Sequence, residues 1–231
     1  MFPVGDINPV WRPPVVTTAL VVANVAVFVL ELLFGTPFIV AFSFVPAELS
    51  ALLRGAGNLG VLVDLFTAMF LHGSVAHLLS NLLFLWIFGD NVEATLAKGW
   101  FLPFYLVCGL VASLTQYAVT PLSEIPNLGA SGAISGVLGA YLVLFPVASV
   151  RVFVWPFSLF LGTFGVPAFI WIGLWFVLQL FSGVQELGRV AAGGVAFWAH
   201  IGGFVAGLLL ILLLPRRPRP RSTAYERYRY R

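Results

Sequence analysis

The amino-acid sequence predicts an all-α membrane protein with six transmembrane helices. Of its 231 residues, 60% are hydrophobic and 9% are charged, whereas soluble domains contain roughly 45–50% apolar and about 25% charged residues. So few charged side chains cannot cover a surface exposed to water. The composition therefore excludes an ordinary soluble domain, and the apolar segments and loop charges described next predict how the helices are arranged.

Six apolar segments lie between the charged residues, and each is long enough for one membrane helix, which needs roughly 20 apolar residues. They are 13–30, 65–89, 99–123, 125–150, 152–185 and 190–215. The first, Val15 to Leu33, lacks a signal-peptide cleavage pattern and is expected to be a retained span. In the fifth, prolines and glycines from Pro156 to Pro167 predict a loop, followed by one span from Pro167 to Phe181.

The distribution of basic residues predicts the orientation. Seven of the twelve follow the last span, and cytoplasmic loops are rich in Lys and Arg. With six spans both termini are then cytoplasmic, and only Arg54 and Arg189 face outside. We expect a cytoplasmic segment 1–14, a membrane domain 15–214 and a basic cytoplasmic tail 215–231, in a multi-pass protein of the plasma (inner) membrane. The basic tail is expected to bind acidic lipid headgroups. No nucleic acid is expected as a partner, because the membrane topology alone explains the positive charge of the tail.

Two connections on the outer side have distinct compositions. The segment from Gly35 to Asp64 is rich in apolar residues and is expected to form short amphipathic helices, one of them starting at Pro46. The segment from Val184 to Val195 is rich in glycine and is expected to be mobile.

Polar side chains inside membrane spans are costly and therefore indicate function. His77 and Asn81 lie in the second predicted span, Ser131 begins the fourth, and His200 lies in the sixth. The predicted topology places all of them near the outer ends of their helices. The fourth span, Ser131 to about Phe145, covers only roughly 22 Å of a 30 Å hydrocarbon core. Its first turn is therefore expected to start below the outer surface and to border a water-filled cavity.

Small residues predict which helices touch. Gly132, Gly136 and Ala140 share one face of the fourth span, and Gly203 with Gly207 forms a GxxxG face on the sixth. His200 precedes Gly203 by three residues, so it projects from the same face. Close packing of these two faces is expected to bring Ser131 and His200 together.

This pair predicts nucleophilic acyl transfer, in which His200 accepts the Ser131 hydroxyl proton. The oxyanion would form beside the Ser131 backbone N–H at the positive end of a helix. His77 and Asn81, four residues apart, would supply further donors. Because the outer halves of these spans contain no Asp or Glu, we expect a Ser/His dyad and not a triad.

Three motifs stand at these positions: Gly129-Ala130-Ser131-Gly132, His77-x-x-x-Asn81 and Ala199-His200-x-x-Gly203-x-x-x-Gly207. In their order, spacing and helix placement, the chain resembles the rhomboid family of intramembrane serine proteases from about Phe66 to Leu214. The resemblance implies Ser131 as nucleophile, His200 as base, and His77 with Asn81 in the oxyanion site. It also implies cleavage of membrane-spanning substrates near the outer face, typically after a small residue, without metal or cofactor.

Two positions depart from the pattern of many rhomboids. A Trp-Arg pair common in the first outer loop aligns here with Val63-Asp64, and an aromatic residue that some members place four positions after the nucleophile is Ser135. The group that orients His200 is therefore left open. Asn24, Glu31, Gln116 and Gln179 are interpreted as packing or interfacial polar residues. The aromatic run from Trp171 to Phe176 is interpreted as mostly lipid-facing or as interface anchors, and the resemblance implies a lateral substrate gate along the fifth span as an alternative use for it.

Two other functions compete with this interpretation. His77, Asn81 and His200 would also suit the polar path of a transporter or channel, although the inner halves of the spans lack matching ionisable residues. A catalytically inactive rhomboid-like protein that binds membrane clients is the second alternative, and the intact Ser131 and His200 count against it. No sequence feature predicts an oligomeric state.

Overall fold

A computed structural model describes residues 2–187 and 195–218 of the chain. In chain order, the elements are β1 (Phe2–Asp6), α1 (Val15–Phe34), α2 (Thr36–Phe42), α3 (Pro46–Leu53), α4 (Gly60–Thr67), α5 (Val75–Thr95), α6 (Phe101–Val119), α7 (Ser131–Leu144), β2 (Ser149–Phe153), α8 (Ser158–Leu161), β3 (Phe164–Pro167), α9 (Ala168–Glu186) and α10 (Phe197–Leu213). One turn of 3-10 helix, Ala68–Phe70, follows α4. The predicted Gly-rich loop and basic tail fall largely on 188–194 and 219–231, outside the described residues.

The apolar segments of the sequence correspond to helices. Four helices, α1, α5, α6 and α9, are long and apolar enough to cross a membrane, and α7 and α10 are shorter apolar helices of 14 and 17 residues. Each of the six predicted segments overlaps one of these helices, and α1, α5 and α9 continue past the segment ends at 30, 89 and 185. The predicted end of the fifth span at Phe181 is wrong, because α9 continues to Glu186. Its last turns are held by α10, where the Trp198 indole N–H donates to the Gly183 carbonyl at 3.1 Å.

Backbone contacts define the two ends of the helical bundle. At one end, β1 pairs with β2, and Leu96 after α5 forms a bridge with Arg216 after α10. At the other end, Phe44 before α3 forms a bridge with Asn127 before α7. The N-terminal strand, the α5–α6 turn, the connection from α7 to α9 and the residues after α10 therefore share one end, hereafter the inner end.

A small antiparallel sheet in the order β1-β2-β3 lies at the inner end, so the all-α expectation is wrong for this part of the chain. The strands are short and lie where the sequence suggests only span ends and a loop. Val150 and Val152 of β2 are fully buried and anchor the sheet against the core. Asp6 of β1 accepts hydrogen bonds from the Tyr141 hydroxyl on α7 and the Asn91 amide on α5, and burial raises the pKa of this carboxyl group. Tertiary contacts, more than strand propensity, define these strands.

Helix α7 occupies the centre of the bundle. Every residue from Gly132 to Tyr141 is buried, and the helix packs against α10, α6 and α5. Such close burial is possible because three of these residues are glycines and two are alanines. Ser131, at the first turn of α7, is therefore attached to a helix that is buried along ten consecutive residues.

Short helices cover one end of the bundle, as the sequence predicts for the segment from 35 to 64. Helix α3 begins at Pro46, the predicted start. Its apolar side joins a small buried cluster, which consists of Phe44, Leu49, Val61, Leu65 and Ala68. These contacts hold the connection against the outer end of α6 through Leu110 and Tyr117.

Glu93 on α5 caps the first turn of α1. Its two carboxylate oxygens accept the backbone N–H groups of Val16 and Thr17 at 2.9 and 2.7 Å, and the Thr17 hydroxyl donates to the same group at 2.8 Å. The residue that precedes α1 is Pro14, which supplies no side-chain cap. A negative charge at a helix N-terminus also interacts favourably with the helix dipole. Glu93 thus fastens α1 to α5 at the inner end.

We expect Glu93→Ala to lower the free energy of unfolding by about 2–4 kcal/mol, because it removes three charge-assisted hydrogen bonds and leaves helix donors unpaired. Thermal unfolding of the purified protein in detergent measures this loss. The matched control is Glu124→Ala, which removes an exposed carboxylate and is expected to leave the transition unchanged. Equal transitions for the two variants would show that the cap does not hold α1.

Candidate active site

Ser131 and His200 meet in a direct hydrogen bond. The Ser131 Oγ lies 2.8 Å from His200 Nε2, although the two residues are 69 positions apart in the chain. Ser131 is the first residue of α7, and His200 lies in the first turn of α10. Both side chains are partly exposed to a cavity. A hydroxyl next to an imidazole at this distance has the geometry that proton transfer requires.

Backbone contact through glycines brings these two helices together. A Cβ placed on Gly203 would fall much closer than 3.0 Å to the Gly132 carbonyl oxygen, and one on Gly207 would collide in the same way with Gly136. The helices therefore touch along the two predicted glycine faces. His200 lies one turn before Gly203, beside the first turn of α7, where Ser131 lies.

His77 and Asn81 lie on the same side of α5 and line the same cavity. The His77 backbone N–H donates to the Ser74 hydroxyl that caps α5, at 3.1 Å. Asn81 is buried, and its amide Nδ2 has no hydrogen-bond partner among the described residues. An unpaired buried donor is costly, so this amide is available for an acceptor that enters the cavity.

Gly129 allows His77 to approach Ser131. Its φ of +125° lies in a region that L side chains rarely adopt. A Cβ at this position would lie 2.8 Å from the His77 Nε2 atom and 3.6 Å from the Ser131 Oγ. The absence of a side chain at residue 129 therefore keeps the space between the imidazole and the hydroxyl open.

The groups that orient His200 come from α9, which the sequence does not indicate. His200 Nδ1 lies 2.8 Å from the Gln179 Oε1 atom, and the Trp175 ring lies against the imidazole with centroids 6.1 Å apart. Ser135, where some rhomboids carry an aromatic residue, instead donates its hydroxyl to the Ser131 carbonyl at 2.7 Å. The interpretation of Gln179 as a packing residue and of Trp175 as lipid-facing is therefore wrong. Their spacing of four residues on one helix face was the available signal.

Two other polar residues interpreted as packing groups hold the backbone around the site. Glu31 of α1 accepts the His72 N–H at 2.9 Å, and the His72 ring lies edge-on to His77 with centroids 5.1 Å apart. Gln116 of α6 accepts the Ala199 N–H at 3.3 Å, immediately before His200. Both side chains thus support segments that carry site residues.

The cavity over the pair has a volume of about 650 Å³ and lies between α5, α7, α9 and α10. Its polar groups gather around Ser131, whereas Phe84, Leu138 and Trp175 form apolar walls. None of the described residues that line it is acidic. Among residues 2–187 and 195–218, no three His, Cys, Asp or Glu side chains are grouped as a metal site requires. The arrangement therefore combines a hydroxyl, an imidazole and hydrogen-bond donors in a pocket with apolar walls.

Comparison with known proteins gives consistent matches over the helical core. The family model described as "Rhomboid domain" matches residues 59–217. Rhomboid protein 1, mitochondrial, from Saccharomyces cerevisiae is 30% identical over 157 residues, which cover 64% of this chain and 40% of that protein. Rhomboid protease GluP from Bacillus subtilis is 34% identical over 143 residues, which cover 62% of this chain and 24% of the relative.

A plant relative extends the range of compartments. Rhomboid-like protein 11, chloroplastic, from Arabidopsis thaliana is 30% identical over 154 residues, covering 66% of this chain and 52% of that protein. The chain thus spans about half or less of the length of these curated relatives. The family-model match over residues 59–217 spans the positions of Ser131 and His200 and the helices that carry them.

The glycine contact should be sensitive to a single methyl group. Gly207→Ala is expected to destabilise the protein by about 1–3 kcal/mol, because the methyl group must push α10 away from the α7 backbone. It should also slow any reaction that needs Ser131 and His200 together. Thermal unfolding measures the first effect, and labelling of Ser131 by a fluorophosphonate probe measures the second.

Gly173→Ala on α9 is the matched control, since nothing lies within 4 Å of a Cβ placed there. It should be neutral or slightly stabilising, because alanine is the better helix former. If Gly207→Ala is as stable and as reactive as Gly173→Ala, the close approach of the two helices is not what aligns the pair.

Proposed function

The chain belongs to the rhomboid family, and on that premise we propose that it is an intramembrane serine endopeptidase. Its substrates are membrane proteins, and it hydrolyses peptide bonds in or near their transmembrane segments. The observation that carries the proposal is the 2.8 Å contact between Ser131 Oγ and His200 Nε2 in a cavity within the helical bundle.

The reaction begins when His200 Nε2 accepts the Ser131 hydroxyl proton and Oγ attacks the carbonyl carbon of the scissile peptide bond. The tetrahedral intermediate then collapses, and the imidazolium donates its proton to the departing amine. A water molecule, deprotonated by the same imidazole, attacks the acyl-enzyme ester and releases the new carboxyl terminus with Ser131 regenerated. The pair works as a dyad in this scheme, since the lining residues that the structure describes include no acidic third member.

The oxyanion site of the proposal consists of backbone and side-chain donors. Ser131 is the first residue of α7, so its backbone N–H lacks an acceptor within the helix and lies at the positive end of the dipole. The unpaired amide of Asn81 and the ring of His77 border the same cavity. Hydrogen-bond donors fixed around the position where the negative oxygen forms stabilise the transition state more than the ground state.

The packing of the inner half of the bundle disfavours a transporter function. There Phe88 packs edge-on against Tyr141 with centroids 5.0 Å apart, and it stacks on Trp171 at 5.9 Å. Phe88 and Tyr141 are fully buried. These rings fill the space beneath the cavity, where a continuous polar path would have to run. A pocket with aromatic rings packed beneath it suits hydrolysis better than passage through the bundle.

The proposal includes six membrane spans, formed by α1, α5, α6, α7, α9 and α10, with α7 starting below the outer surface. Both termini would lie in the cytoplasm of a cell whose plasma (inner) membrane holds the protein, as the basic residues at the inner end suggest. The boundaries 1–14, 15–214 and 215–231 follow from this arrangement. Neither a metal nor a cofactor takes part in the proposed reaction.

Ser131→Ala and His200→Ala should each abolish cleavage of a reporter that contains a helix-destabilised transmembrane segment, because each removes one partner of the proton transfer. A chelator should leave the rate unchanged. The wild-type protein is expected to react covalently with a fluorophosphonate probe, and Ser131→Ala is expected to lose this label. Labelling distinguishes an enzyme from both a transporter and an inactive homologue, and full activity of purified Ser131→Ala would refute the nucleophile assignment.

Asn81→Ala should lower kcat by about 10- to 1,000-fold, the range expected for loss of one oxyanion donor. Steady-state kinetics on the same reporter measure this change, and thermal unfolding verifies that the variant folds. Asn58→Ala is the matched control, because Asn58 lies in an exposed loop, where its side-chain oxygen accepts the Gly60 N–H. An unchanged rate for Asn81→Ala would assign this residue to helix packing.

A further inference from the structure

We propose that Gln179 is a positioning residue that holds His200 in the tautomer required of a base. The inference rests on the proposed function, and it adds a contact that selects the protonation of the base at the same site. It begins from the 2.8 Å contact between His200 Nδ1 and Gln179 Oε1.

The amide oxygen selects one of the two neutral forms of the imidazole. A carbonyl oxygen only accepts, so Nδ1 must carry the proton that it donates to Gln179. In a neutral imidazole the other nitrogen is then an acceptor, and this nitrogen, Nε2, faces the Ser131 hydroxyl at 2.8 Å. Without the Gln179 oxygen, the proton is free to occupy Nε2, where it blocks transfer from the hydroxyl.

The surrounding residues offer no substitute for this contact. The hydroxyl of Ser135 is engaged with the Ser131 carbonyl on its own helix. The described residues that line the cavity include no carboxylate. Trp175, one turn before Gln179, limits rotation of the imidazole by ring contact, but its ring face does not choose between the two nitrogens. Gln179 is therefore the described group that selects the tautomer.

Helix α9 packs against α10 in its middle as well as near its end. Gly183 is buried against α10. The Phe176 ring stacks on Phe204 of α10 with centroids 4.3 Å apart, and the Trp175 ring lies 6.2 Å from the same ring. These contacts hold the part of α9 that carries Gln179 against the first turns of α10, so the amide oxygen stays beside His200 Nδ1.

The experiment compares Gln179→Leu, Gln179→Glu and the wild type as purified full chains. The measurements are the rate constant for fluorophosphonate labelling of Ser131, and kcat and KM on the transmembrane reporter, each across a range of pH. Gln185→Leu is the matched control, because Gln185 is an exposed amide near the end of the same helix. The small probe reports on the dyad without needing a membrane substrate to enter.

Gln179→Leu should lower both the labelling rate and kcat by on the order of 10- to 100-fold with KM changed less than about twofold, since the base is mispositioned and binding is not. Gln179→Glu keeps an acceptor and should restore much of the rate. Its activity should fall at a higher pH on the acid side than in the wild type, because a carboxylate opposite the imidazolium favours the protonated ring. If residue 179 only packed against neighbouring side chains and did not face the imidazole, Gln179→Glu would leave the acid side of the pH profile unchanged.

The inference is overturned if Gln179→Leu reacts like the wild type, or if the acid limb of Gln179→Glu does not move. Should Gln179→Leu fail to fold, the pH profile of Gln179→Glu decides alone. Absence of labelling in the wild type would refute the proposed function itself, whereas a labelled wild type with rates insensitive to residue 179 would refute only the role of Gln179.

Discussion

The backbone contact between α7 and α10 is the constraint on which the rest of the structure depends. The two helices approach so closely that a methyl group at Gly203 or Gly207 would collide with the α7 backbone. In lipid, helix association relies on packing and hydrogen bonds, since apolar burial between helices offers little net gain. The glycine faces therefore serve two purposes: they hold the bundle together, and they set the distance between the first turns of the two helices. The hydrogen bond between Ser131 and His200 is a consequence of this distance.

Outside the contact between α7 and α10, polar contacts lie at the two ends of the bundle. At the inner end, Glu93 and Asp6 tie α1 and β1 to α5 and α7 through buried or half-buried carboxylates. At the outer end, Glu31 and Gln116 accept backbone N–H groups next to site residues. Each of these side chains satisfies donors that lipid would leave unpaired. The inner contacts secure the scaffold, and the outer contacts shape the pocket.

The side chains that orient His200 come from a different helix than in some other rhomboids. In those rhomboids that stack an aromatic ring on the base, the ring comes from the nucleophile's own helix, four residues on. Here that position is Ser135, and the orienting groups Trp175 and Gln179 come from α9 instead. A ring on α7 would contact His200 across the α7–α10 interface that already joins the pair, whereas Gln179 and Trp175 lie on a third helix. The change of element therefore links the geometry of the base to the packing of a helix that borders the cavity.

Much of the fold and the core of the site follow from local patterns in the sequence. Apolar length predicts where each of the six main helices lies, because a membrane segment is selected by composition over about 20 residues. The spacing of Gly132, Gly136, Gly203 and Gly207 predicts which faces touch, and the positions of Ser131 and His200 relative to them predict their meeting. By contrast, the short strands and the end of α9 are defined by contacts between segments distant in the chain.

The sequence by itself thus determined the helices, the glycine interface and the pairing of hydroxyl with imidazole, because periodicity and residue size act over a few turns. Only the tertiary structure decided that Gln179 and Trp175 face His200, that Glu93 caps α1, and that three strands pair at the inner end. A polar residue in an apolar helix indicates that its side chain needs a hydrogen-bond partner. Which residue becomes that partner depends on how the helices rotate and cross, and this depends on the packing of the whole bundle.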